Sequence, residues 1–126
     1  MATSDPVRLN SFAAVFPVAD VGRSLTYYLD QLGFHEHFRM PDLSYAIVEH
    51  DAVSIHLMLA RDNRAALGQS IIYVFADDVD ALHEQLQERG CPIEVPPEDF
   101  FYGMREMSVR DPDGNRITFG QEVKKA

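Results

Sequence analysis

Five histidines and 20 aspartates and glutamates are the side chains best able to bind metal or move protons. His35 and His37 stand two apart on a predicted strand and share a face. That spacing can grip a metal ion but is more common on an exposed strand edge. His50 falls in a turn and His83 on the polar side of a helix, so both are expected to face solvent. His56 alternates with Ser54 and Met58 along a strand. On an inner face it would either meet a ligand or bond to a neighbouring strand. The carboxylates sit mostly at helix starts, in turns and on exposed faces, and no acid and base pair stands out among them. There is no GxSxG elbow, no P-loop and no dinucleotide-binding glycine pattern. The single cysteine, Cys91, cannot form an intramolecular disulfide and reads as an inert, partly buried thiol.

The other chemistry available is apolar recognition. Along Ile71 to Ala76, alternation puts Ile71, Tyr73 and Phe75 on one face and Ile72, Val74 and Ala76 on the other. Flat rings such as Tyr73 and Phe75 stack on planar heteroaromatics and attract cations to their faces. Phe38, Met58, Phe101, Tyr102 and Met104 could extend that wall, with methionine adapting to irregular shapes.

Such residues need elements to carry them. With 126 residues, 46% hydrophobic and 25% charged, the chain can build one cored domain and falls far from the composition of disordered segments. A net charge of -9 argues against nucleic-acid binding, which needs clustered Lys and Arg. It could draw a cationic ligand toward a cleft, or serve solubility alone. No apolar run is long enough to span a membrane, and Met1 to Asn10 lacks a signal-peptide plan, so a cytoplasmic location is expected.

The apolar patterns repeat. Phe12 to Val18 reads as a strand, followed by a helix capped by Asp20, striped by Leu25, Tyr28, Leu29 and Leu32, and stopped by Gly33. Strands follow at Phe34 to Arg39, Ser44 to Glu49 and Val53 to Leu59. After a polar linker at about 61–69, the order begins again with a strand at Ile71 to Ala76. A helix capped at Asp77-Asp78 and stopped by Gly90 follows, then a short strand near Ile93 to Val95 and an acidic, proline-rich loop from Pro96 to Asp99. Strands at Met104 to Arg110 and Arg116 to Gly120 end the pattern. The expectation is one α+β domain over 1–126, made of two βαβββ modules at about 10–60 and 70–122. They would form a curved, cup-shaped mixed sheet with helices on the outside.

These motifs in this order resemble the glyoxalase/bleomycin-resistance/dioxygenase (vicinal oxygen chelate) superfamily. The carriers are Pro17-Val18-Ala19-Asp20-Val21, Leu32-Gly33-Phe34, Asp77-Asp78-Val79-Asp80-Ala81-Leu82, Tyr102-Gly103-Met104-Arg105-Glu106 and Asp111-Pro112-Asp113-Gly114-Asn115. Enzymes of that family hold a divalent ion with four side chains. The resemblance places those positions at Ala13, His56, Ile71 and Thr118, of which His56 alone is a good ligand and Thr118 offers a weak hydroxyl. It therefore implies a metal-independent binder without a cofactor, closest in character to bleomycin-resistance-like proteins. Such a protein sequesters a small hydrophobic or aromatic compound, with a cationic group favoured by the acidic surface. The alternative is a metal-dependent lyase or dioxygenase of the glyoxalase type. The implied ligand-binding residues are Phe38, His56, Met58, Tyr73, Phe75, Tyr102, Met104 and Thr118, with Glu106 near the cleft mouth. The resemblance also implies a homodimer whose second subunit completes the cleft, and no nucleic-acid or membrane partner.

Overall fold

A computed structural model describes residues 5–123. Strand β1 (Ala14–Val18) buries Phe16 and Val18 and turns Val15 outward. Asp20 then caps α1 (Val21–Thr26), its carboxylate accepting the Arg23 N–H at 3.0 Å. The predicted helix does not remain α-helical to Gly33. From Tyr27–Gln31 it widens into a π turn, with the Leu32 N–H donating to the Tyr27 carbonyl at 3.0 Å. The adjacent Tyr27 and Tyr28 are both buried there, their rings edge to face at 5.2 Å. An apolar stripe of period 3.6 would have turned only Tyr28 inward.

Module one continues with β2 (His35–Arg39), β3 (Tyr45–His50) and β4 (Val53–Leu59). Module two repeats the plan with β5 (Ile71–Phe75), α2 (Val79–Glu88) capped by Asp78, β6 (Val95–Asp99), β7 (Met104–Arg110) and β8 (Arg116–Glu122). The expected loop from Pro96 to Asp99 is thus part of a strand. Proline cannot donate to a ladder, but β6 lies at a sheet edge and its register shifts between Val95 and Glu98, where both prolines sit.

The α+β reading holds, with the strands arranged as two four-stranded mixed sheets in the orders β1-β4-β3-β2 and β5-β8-β7-β6. In each, the module's first strand runs parallel to its last and forms an edge. The sheets share one core, fed by Val48 and Leu57 from the first, Val109 and Ile117 from the second, and Leu25 and Leu86 from the helices. A polar clasp closes the modules on each other. Buried Tyr28 donates to Asp111 Oδ2 at 2.9 Å, and Asp113 Oδ1 accepts from the Ala19 N–H and from Arg23, both at 3.0 Å. Because the helix-bearing faces fill this shared core, the other face of each sheet is turned outward. On β5 that leaves Ile71 71% and Phe75 79% exposed.

Candidate functional site

The side chains singled out from the sequence fall on these two outward faces. Phe38, His56 and Met58 lie on the sheet of module one, and Tyr73, Phe75, Tyr102, Met104 and Thr118 belong to module two. On β4, Ile55 and Leu57 enter the core, which turns His56 and Met58 to the opposite face. His56 Nδ1 and Tyr45 Oη are 2.7 Å apart, with the rings edge to face. The histidine is therefore bonded to its neighbouring strand, and Tyr45, Phe38 and Met58 border an open depression of about 500 Å³.

Module two carries the more structured arrangement. On β7, Met107 and Val109 point into the core, so Glu106 and Ser108 face the other way. Glu106 is only 9% exposed, in the body of the sheet face rather than at a cleft mouth. Its two carboxylate oxygens each accept a phenol at 2.8 Å, Oε2 from Tyr73 on β5 and Oε1 from Tyr102 in the β6–β7 turn. No Lys or Arg among the described residues pairs with it. Neighbouring Arg105 points away, to Asp80 and Asp99 at 2.9 Å each.

Burial, and then the hydrogen bond and charge of Glu106, push the Tyr73 hydroxyl up to about 12. The bond to Glu106 is the leading cause that raises Tyr102. Both phenols therefore remain donors at neutral pH. The Tyr73 ring crosses β8 at Gly120, which stands opposite both Phe75 and Glu106. Tyr73 and Phe75 lie 5.2 Å apart with tilted rings, and Phe100 stacks on Tyr102 at 5.6 Å, 16° from parallel. Thr118 pairs across the ladder with Tyr73 on one side and Ser108 on the other. Phe100, Tyr102, Glu106, Ser108, Thr118 and Arg116 border a cavity of about 250 Å³. Met104 opens β7 opposite Glu122, at the margin of this group.

The four positions implied for a metal do not fit one. Val15 stands opposite His56 on β1, and Ala13 and Pro17 flank it, so no lone pair faces the imidazole from that strand. Ile71 is apolar, and the residue opposite Thr118 is Tyr73, whose hydroxyl is directed to Glu106. No group of three or more His, Cys, Asp or Glu among the described residues is placed to hold an ion.

Tyr45, Phe100, Ser108 and Gly120 did not emerge from the sequence as site residues. Glu106 shares the parity of Ser108, but its importance depends on two tyrosines from separate segments, and no periodicity records that meeting.

Comparison with known proteins bears on the family and the fold. The family model described as Glyoxalase/Bleomycin resistance protein/Dioxygenase superfamily matches residues 8–119. The bleomycin resistance proteins of Geobacillus stearothermophilus and Staphylococcus aureus are each 27% identical to the chain, over 86% of it and 93% of theirs. Among solved structures, the bleomycin-binding protein of Streptomyces verticillus complexed with copper(II)-bleomycin superposes with a TM-score of 0.78 at 23% identity, covering 95% of this chain and all of that one (100%). TnmS3, an antibiotic binding protein from Streptomyces sp. CB03234, gives 0.77 at 25% identity, covering 94% and 100%.

Proposed function

This chain belongs to the glyoxalase/bleomycin resistance protein/dioxygenase superfamily, and within it we propose a metal-independent binder that sequesters a small aromatic, antibiotic-like compound carrying a cationic group. The observation that carries this reading is Glu106, buried on a sheet face, held by the hydroxyls of Tyr73 and Tyr102 and without a cationic partner among the described residues. A carboxylate fixed in this way accepts a ligand cation at little cost in ordering, while the surrounding rings supply apolar area. The likeness to bleomycin resistance proteins supports the same reading. Sequestration of an antibiotic would protect a cell with no chemical step.

The protein works as a homodimer in this proposal. Strands β1 and β5 are free edges, and beside them Val15, Ile71 and Phe75 present apolar side chains to solvent. A second copy that sets its module-one face over the module-two face would cover both and close the site between Tyr45–His56 of one chain and Tyr73–Glu106 of the other.

Isothermal titration tests the proposal, using planar cationic compounds with metal-free bleomycin among them, on protein whose metal content has been determined by elemental analysis. Saturable binding with a negative heat-capacity change, and no thermal shift with divalent ions, is the expected result. Failure across the compounds, with near-stoichiometric metal and stabilisation by divalent ions, would point instead to a metal-dependent lyase or dioxygenase.

A further inference from the structure

Glu106 is not the only charged group bordering the module-two cavity; Arg116 borders it as well. Arg110 lies four positions after Glu106 on β7 and stands directly opposite Arg116 on β8. At roughly 3.3 Å per residue the two charges are therefore anchored about 13 Å apart along the sheet. Between them the cross-strand pair Ser108 and Thr118 supplies two hydroxyls, and the stacked Phe100 and Tyr102 rings supply a flat wall.

The Arg116 end retains positive charge. Glu94 is its acidic partner, but Glu94 also pairs with Arg110, so two guanidinium groups share one carboxylate. Arg110 is further engaged by the Gly114 carbonyl at 2.8 Å. Arg116 instead keeps a buried Nε–H with no hydrogen-bond acceptor. A buried donor without a partner costs free energy unless something supplies an acceptor.

We infer that the ligand of this face is dipolar: an aromatic zwitterion whose cation sits at Glu106 and whose carboxylate, or equivalent anion, sits at Arg116. The inference rests on the binding reading above and adds the second anchor. A guanidinium receives a planar anion through paired N–H groups, and the Arg116 side chain is 36% exposed, borders the cavity and shares Glu94 with Arg110. A ligand with only a cation would leave the Arg116 end unsatisfied, and one with only an anion would leave Glu106 desolvated without a counter-charge. The pocket therefore discriminates by requiring both ends at once.

Three probes of one shape separate these contributions: 4′-(aminomethyl)biphenyl-4-carboxylic acid, its methyl ester, and biphenyl-4-carboxylic acid. The zwitterion is expected to bind at least tenfold more tightly than either of the others. Arg116→Gln should remove its advantage over the ester, and a cooperative urea transition shows that the variant is folded. Arg116→Lys should restore part of the advantage, and Glu106→Gln should remove the advantage over biphenyl-4-carboxylic acid. Equal binding of zwitterion and ester, unaffected by Arg116→Gln, would overturn the dipolar inference and leave the cation-binding reading standing. Binding of none of the three to folded protein would overturn both.

Discussion

The Tyr73 ring lies across Gly120 so closely that a Cβ at Gly120 would fall 1.8 Å from the phenolic oxygen and 2.4 Å from Cζ. The absence of a side chain on β8 is therefore what lets Tyr73 reach Glu106 at 2.8 Å. Gly120→Ala is expected to swing the tyrosine out of the site and cost about 1–3 kcal/mol in stability through overpacking. Ligand affinity should fall at least tenfold, as it should in Tyr73→Ala. Calorimetric titration and urea denaturation of the two variants check this. Unchanged affinity in Gly120→Ala would show that Tyr73 need not sit there.

The turn from Asp111 to Asn115 is conspicuous in the sequence but has a structural task. Asp111 is buried and accepts from Tyr28 Oη at 2.9 Å, from the Asn115 side chain at 3.0 Å, and from the backbone of Asp113 and Asn115 at 3.0 and 2.9 Å. Tyr28→Phe removes one charge-assisted bond and should cost about 2 kcal/mol. Asp111→Ala orphans several buried donors at once and should cost about 3 kcal/mol or more. Urea denaturation midpoints at constant m-value provide the measurement.

Tyr73 should be readable by its pH dependence. Its folded-state value is raised from 10.0 to about 12, first by burial and then by Glu106. A raised value means that the folded protein holds the proton more tightly than the unfolded chain. The associated stabilisation is thus complete below about pH 10 and is lost as pH rises through about 12. Ultraviolet titration of tyrosinate should show an ionisation with a midpoint near 12 that disappears in Tyr73→Phe. Its persistence would assign that ionisation elsewhere.

Charge placed on the exposed face of β5 tests the dimer. Ile71→Asp with Phe75→Asp replaces two side chains that solvent already reaches in the single chain, so folding should be preserved. Sedimentation velocity should show the parent as a dimer and the variant as a monomer. A parent that is monomeric at micromolar concentration would remove the second subunit from the site.

Much of the fold was legible because local rules act over short stretches. Asp20 and Asp78 cap helices, Gly33 and Gly90 take positive φ at their ends, and the parity of β5 separates Ile72 and Val74 from Tyr73 and Phe75. Two features were not legible locally. The π turn at Tyr27–Gln31 arises because two adjacent tyrosines both find buried partners, Cys91 for Tyr27 and Asp111 for Tyr28, in the other module. The strand at Val95–Asp99 survives its prolines because it forms an edge.

By itself, the sequence determined a duplicated α+β plan, an acidic chain with one cysteine, and an aromatic β5. These follow from residue type and from periods of two and 3.6, which each segment expresses without reference to the rest. Only the tertiary structure brought Glu106, and not His56 alone, to the centre of the proposed site. That outcome needs Tyr73, Tyr102 and Gly120 to converge from three separate segments through the cross-strand register of β5, β8 and β7. Register is set by how a whole sheet packs on its core, and no single strand carries that information.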